Sequence, residues 1–257
     1  MFGLLKQQPL LEADHRLWMM DVFSWSLENF NADFFYHQSV LVLPSNQFFP
    51  GRADNEQEMA ELIFNNVKRY AGIGHWPTLV VDQNQCTLPD TPPLEVTSPL
   101  RMTDGIADES VPAESRLLVP FNAQQISNPE GIIASFAHLT AHYMGQMAQQ
   151  PPPGGAELWP HTTEMLAIFL GFGLMFANSA YTFRGGCGSC YNASSNRDAY
   201  LTEQQSVYAL ALFSVLKELP TNTVSANLKK HLRSYFKKAV KEIHSYPADI
   251  ERLRQLA

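Results

Sequence analysis

The residues of this chain predict an α+β fold, on three observations. Two short apolar runs, "TLVVDQ" (78–83) and "RLLVPF" (116–121), have the length and β-branched content of strands. From residue 127 onward the apolar residues recur at helical spacing, and the breaks between runs are rich in proline and glycine. A length of 257 residues at 45% hydrophobic content supplies a substantial core. We therefore expect one domain over 1–257, with a small α/β part over 1–125 packed on a helical part over 126–257.

Each element has its own signal. "EADHRLWMMDVFSWSLENF" (12–30) carries Leu17, Met20, Phe23, Trp25 and Leu27 near helical spacing, with acidic residues early, and reads as a helix. The aromatic-rich "FNADFFYHQ" (30–38) and "NQFFPG" read as packing and turn residues. "SVLVLP" (39–44) is a short apolar run ending in proline and predicts a strand. "NEQEMAELIFNNVKRYAGI" opens on Asn55 with an acidic first turn and stops near Gly72, the marks of a capped helix. The proline- and charge-rich stretch between the two strands reads as loop, with "LEVT" (94–97) as a possible further strand. Asn128-Pro129-Glu130 starts the next helix, with a cap and then proline in the first turn. "PPPGGAELWP" breaks it. A second helix is expected from about Thr162 to Ala180, a third from a Thr202 cap through "TEQQSVYALALFSVLKEL", and a fourth over "TVSANLKKHLRSYFKKAVKEIHSY". "SYPADIERLRQLA" predicts a short terminal helix.

Composition narrows the function. A net charge of −7 argues against nucleic acid as the main partner. Three cysteines make no disulfide framework and suit a reducing compartment. The N-terminal stretch lacks the long apolar segment of a signal peptide, so a cytoplasmic protein is expected. Residues 165–183, "MLAIFLGFGLMFANSAYTF", are uncharged and near the length of a membrane span. Asn178, Ser179 and Thr182 make the last third polar, and an all-round apolar helix also suits the centre of a large domain. We read it as a core helix and expect no membrane span.

Chemistry concentrates in "HLTAH" (138–142). His138 and His142 lie four apart on an expected helix, so both imidazoles share a face and can meet one metal. Ile132, Ser135, Phe136 and Leu139 make the surroundings semi-apolar. An i,i+4 pair among eight histidines also arises by chance, so context must decide. A zinc site needs at least a third ligand, and Glu164 is the candidate. It stands at the start of the next helix, before the apolar run, where a carboxylate is costly unless paired or bound to a cation. His161, three residues earlier, shares nearly the same face and could ligate or support the site. The competing reading is that Glu164 only benefits from the N-terminus of its helix. Two imidazoles and a carboxylate favour one divalent ion, zinc first.

The order "VLPSNQFFP", "AHLTAHYMG", "TEMLAIFLGFGLMFANSAY", "YLTEQQSVYALALF" and "LKKHLRSYF" resembles a bacterial family of uncharacterised zincin-like proteins. The resemblance runs from about residue 39 and is strongest over 137–213. It implies a helical zincin-like core, with His138 and His142 matching the histidines of the HExxH motif. Glu164 matches the acidic third ligand, with glutamate for the usual aspartate. Leu139 stands where the family has its catalytic glutamate. In a zincin that glutamate takes a proton from the metal-bound water and passes it to the leaving amine. Leucine can do neither, and losing a general base removes a factor of about 10² to 10⁴.

Three function classes follow. The first, which we favour, is a metal-binding zincin-like protein, a degenerate metallopeptidase homologue acting on or with an unidentified peptide or protein. The second is a working hydrolase with a substitute base, for which His161, Tyr143 and Glu157 are candidates. The third is a metal-free interaction module. Cys187 and Cys190 form a lone C-x-x-C, with Cys86 the only other thiol, and read as thiols in a glycine-rich loop rather than as a zinc or redox pair. Lys229, Lys230, Arg233, Lys237, Lys238 and Lys241 line one side of the last long helix, which reads as a solvated face; an acidic partner or a membrane surface is the alternative.

Overall fold

Helix α1 (Ala13–Asn29) buries Met19, Met20, Val22, Phe23, Trp25 and Leu27. Two of its tryptophans reach across to a later loop, with Trp18 Nε1 donating to the Pro153 carbonyl and Trp25 Nε1 to that of Gln150. The computed structural model describes residues 9–85, 96, 99–103, 105–108, 110–179 and 199–256. The expected strand "LEVT" and the Cys86, Cys187 and Cys190 thiols lie outside them, Val96 excepted.

The segment expected to be packing and turn folds as a short helix, α2 (Ala32–His37). Asn31 takes a left-handed conformation, and its side chain accepts the Phe34 amide. That turn sets Phe35 in the core, its ring stacked on Phe169 at 4.5 Å between centroids. Residues 39–44 do not form the expected strand. They run extended past the core helix, where the Val42 amide donates to the Gly171 carbonyl. Among the described residues no strand pairs with them, and a kinked helix supplies the acceptor that a sheet would have given.

Helix α3 (Glu56–Ala71) has the expected caps: the Asn55 side chain accepts the Glu58 amide, and Gly72 ends the helix at φ +75. Strands β1 (Thr78–Asp82) and β2 (Leu117–Phe121) pair in parallel, Thr78 opposite Leu117 and Asp82 opposite Phe121. Helix α3 packs on β1 and α4 (Pro129–Gln146) on β2. Fully buried Arg101 ties the loops together, donating to the Ala71 and Phe30 carbonyls and to Ser39 Oγ while lying over the Phe34 ring. Burial lowers its pKa to about 9, which leaves it charged at neutral pH.

The single helix expected from Thr162 to Ala180 is instead three pieces. Helix α5 (Trp159–Ala167) starts earlier, with Pro160 in its first turn; a π-helical turn (Ile168–Phe172) follows, then α6 (Gly173–Ser179). Gly171 adopts φ +107, and a Cβ there would collide with the Val40 carbonyl, so the kink and the extended segment require each other. Within Ala156–Ser179, the most apolar 18-residue window is 94% buried, so its apolar surface serves the core.

Helix α7 (Glu203–Leu216) begins at a full capping box between Thr202 and Gln205. The fourth expected helix breaks into α8 (Thr221–Ala226) and α9 (Arg233–Ile243). Asn178 enters the break, donating to the Asn227 carbonyl and accepting the Lys229 amide, while Arg233 donates to the Ala226 and Leu228 carbonyls. Side chains thus replace the missing helical bonds. Helix α10 (Pro247–Arg254) closes the chain as expected. Mostly helical, with one small sheet, the architecture is the predicted α+β class, and one hydrophobic cluster runs from Leu11 to Leu253.

Candidate metal centre

The site residues belong to two helices that pack side by side, α4 and α5. Helix α4 is held at its start by Asn128, whose side chain accepts the Gly131 amide at 3.1 Å. Near its end it comes close to α5 because residue 145 is glycine: a Cβ there would stand 2.5 Å from the Trp159 ring. His138, Leu139 and His142 lie along α4, all half-buried. On α5, His161 is half-buried and Glu164 is 0% exposed.

Glu164 is the sixth residue of α5, beyond the first turn, so the N-terminus of its own helix does not explain it. Its carboxylate reaches a different helix start. Oε1 accepts the Tyr200 amide at 3.2 Å and Oε2 the Leu201 amide at 2.9 Å, immediately before the Thr202 cap of α7. A buried carboxylate is tolerated where amide donors and the positive end of a helix face it.

His142 accepts a hydrogen bond at Nδ1 from Trp159 Nε1, 3.2 Å away. An indole N–H can only donate, so the proton of the neutral imidazole sits on Nε2. Burial favours that neutral form, pushing the His142 pKa below its ordinary value. His138 stacks on the Tyr200 ring at 6.2 Å between centroids, with planes 18° apart. His161 meets the same ring at 6.0 Å and edges onto Trp18 at 6.5 Å. Its buried Nδ1 has no hydrogen-bond partner among the described residues.

Tyr200 is therefore the hub that sequence reasoning missed. Its ring touches His138 and His161, and its amide is held by Glu164. Trp159 was missed as well. "YLTEQQ" marks a helix start and "PPPGGAELWP" reads as a break; neither signal says which distant imidazole the aromatic meets.

Leu139 points elsewhere. With Phe64, Ile73, Trp76, Leu117, Val119 and Tyr143 it lines a void of about 10 Å³ between α4, α3 and the sheet. Tyr143 is tied to that same side, its hydroxyl donating to the Leu118 carbonyl at 3.0 Å. Glu157 lies exposed in the turn before α5. Of the three candidate substitute bases, His161 stands within the aromatic cluster that includes His138, while the Tyr143 ring lies 6.0 Å from that of His142.

The chemistry of the donor set fits a zinc-type cation: imidazoles from α4 and a carboxylate from α5. Glu164 accepts two amide bonds, and an ionised carboxylate is an acceptor with about four lone-pair sites. Ligation by His142 requires one change, because Nε2 carries the proton while Nδ1 accepts from Trp159. Among the described residues, no three His, Cys, Asp or Glu side chains are drawn together tightly enough to grip an ion as they stand. Turning the His142 ring leaves an indole N–H unpaired at a cost of about 1–3 kcal/mol. Structural zinc binding is worth about 10–16 kcal/mol, so that cost does not decide the matter. No protein family, curated protein or solved structure matches this chain.

Proposed function

We propose that this chain is a zincin-like cation-binding protein that has lost peptidase catalysis, with His138, His142 and Glu164 as ligands. The observation that carries this reading is the contrast between neighbouring positions on α4. Leu139, at the position of the zincin base, is built into apolar packing against the sheet. His142 lies against Trp159 at the start of α5, the helix in which Glu164 is sunk at 0% exposure. The resemblance to the HExxH family supports the same assignment of ligands.

A divalent ion held there would acidify water and polarise a carbonyl. The chain's own residues do the rest. The Tyr200 and Leu201 amides orient Glu164 and hold its negative charge. The Tyr200 ring, at a residue 46% exposed, covers His138 from the solvent side. No described carboxylate stands at the base position, so the proton transfer that a zincin glutamate performs has no carboxylate agent there.

A second reading, a metal-free scaffold, draws on the same hydrogen bonds. The Trp159 bond to His142 and the amide bonds to Glu164 give both groups partners without an ion. Elemental analysis of untagged protein separates the two. We expect about one zinc-type ion per chain, clearly less in Glu164→Ala, and none in the His138→Ala/His142→Ala double variant. Equal metal content in wild type and the double variant would leave the metal-free scaffold standing. Rapid peptide cleavage by metal-loaded wild type, dependent on both histidines, would instead make this an active hydrolase, with His161 the first residue to change.

A further inference from the structure

A basic surface lies far in sequence from this site. Between Leu219 and Lys241 the chain holds six of its 18 Lys and Arg and none of its 25 Asp and Glu. The structure turns this segment into one outward face. Leu228, Leu232, Phe236, Ala239 and Ile243 are buried, and α9 packs along α7. Lys229, Lys230, Lys237, Lys238 and Lys241 are all exposed.

Several acidic groups around this segment are engaged with other partners, Glu130 accepting from the Asn178 side chain that also takes the Lys229 amide. Glu242 turns inward, accepting the Leu10 amide and the Tyr208 hydroxyl. Glu203 pairs with His231 at 3.0 Å, Asp249 with Arg16 and Glu218 with Arg254. Among the described residues none of the five lysines has an ion-pair partner. On a chain of net charge −7, this face is a local reversal of sign.

We propose that the α9 face docks on an anionic phospholipid surface by charge alone. Three features favour a bilayer over a folded acidic protein. Among the described residues, the exposed large apolar side chains Leu17, Val40, Ile106 and Tyr200 all lie outside the 219–241 segment. Protein interfaces centre on apolar and aromatic anchors and are depleted in lysine. Five of the six charges are lysines, point charges on flexible stems that suit a fluid array of phosphates better than one fixed carboxylate geometry. Docked this way, the lysines sit within a Debye length of the lipid phosphates, about 10 Å at 0.1 M salt.

The test is co-sedimentation of the full chain with vesicles of phosphatidylcholine alone and of equal parts phosphatidylcholine and phosphatidylglycerol. We expect binding to the anionic vesicles only, lost at high salt. Each lysine near such a surface contributes about fivefold in affinity, so Lys237→Gln/Lys238→Gln/Lys241→Gln should bind roughly 100-fold more weakly. All three side chains are exposed, and an unchanged circular dichroism spectrum checks that the fold is retained. Failure to bind anionic vesicles at low salt, equal binding to neutral vesicles, or equal binding by the triple variant each overturns the proposal. Capture by polyglutamate without capture by anionic vesicles also overturns it, in favour of an acidic protein partner.

Discussion

Leu139→Glu rebuilds the HExxH sequence, and the structure predicts that it will not rebuild the enzyme. The new carboxylate would enter the space lined by Phe64, Ile73, Trp76, Leu117 and Val119. The void there is about 10 Å³, room for one water at most, so an ionised group finds almost no solvation. Full burial raises a carboxyl pKa by about 3–5 units. Leu139 is half-buried, so we expect roughly half of that and a loss of about 2–4 kcal/mol at neutral pH. The pH dependence has a definite sign. A carboxyl whose folded pKa is raised binds more protons folded than unfolded, so stability falls as pH rises. The deficit should therefore be small near pH ~4 and grow until pH passes the raised pKa, at about 6–7. Urea unfolding of both proteins at acidic and neutral pH measures this, and a peptide-cleavage assay on the metal-loaded variant accompanies it. A variant as stable as wild type at neutral pH, with metal-dependent hydrolysis gained, would mean that residue 139 faces an open cleft and that the packing argument is wrong.

Other perturbations follow from the same geometry. Zinc added to metal-stripped protein should change tryptophan fluorescence, because ligation by His142 displaces Trp159 from Nδ1; His142→Ala should abolish both the signal and the binding. A signal that persists in Trp159→Phe would show that another tryptophan reports it. Gly171→Ala should destabilise by roughly 2–4 kcal/mol in urea unfolding, from φ strain at +107 and the collision with the Val40 carbonyl; a neutral result would disprove the coupling of kink and extended segment. Burial lowers the Lys68 pKa to about 8, although its ammonium donates to the Trp76 carbonyl and Thr78 Oγ1. A lysine depressed in the folded state binds fewer protons folded than unfolded, so stability is gained as pH rises from about 8 toward the unfolded value near 10.4. Wild type should therefore gain on Lys68→Met over that range, and parallel unfolding curves at the two pH values would refute the shift.

Local chemistry was legible in the sequence wherever a short range decides it. The caps at Asn55, Asn128 and Thr202 and the stop at Gly72 lie where the residues placed them, because each side chain or backbone bond spans only a few residues. The two strands, the α+β class and the burial of the long apolar helix could be read from β-branched runs and an uncharged stretch. The i,i+4 spacing put His138 and His142 on one side of α4, and their separation needs nothing beyond helix geometry.

Tertiary structure decided what residues far apart do to one another. Residues 39–44 have the composition of a strand, but the Val42 amide donates to the Gly171 carbonyl and no strand among the described residues pairs with them. The last long helix kept its periodicity across a break that Asn178 and Arg233 fill from outside. The sequence offered the start of α5 as one reason for the Glu164 charge; its carboxylate instead holds the backbone that leads into α7. Leu139 looked like a lost base in a cleft and is part of the core beside the sheet. Periodicity fixes which face of a helix a residue occupies. What stands opposite that face depends on contacts between distant segments, and no local pattern encodes them.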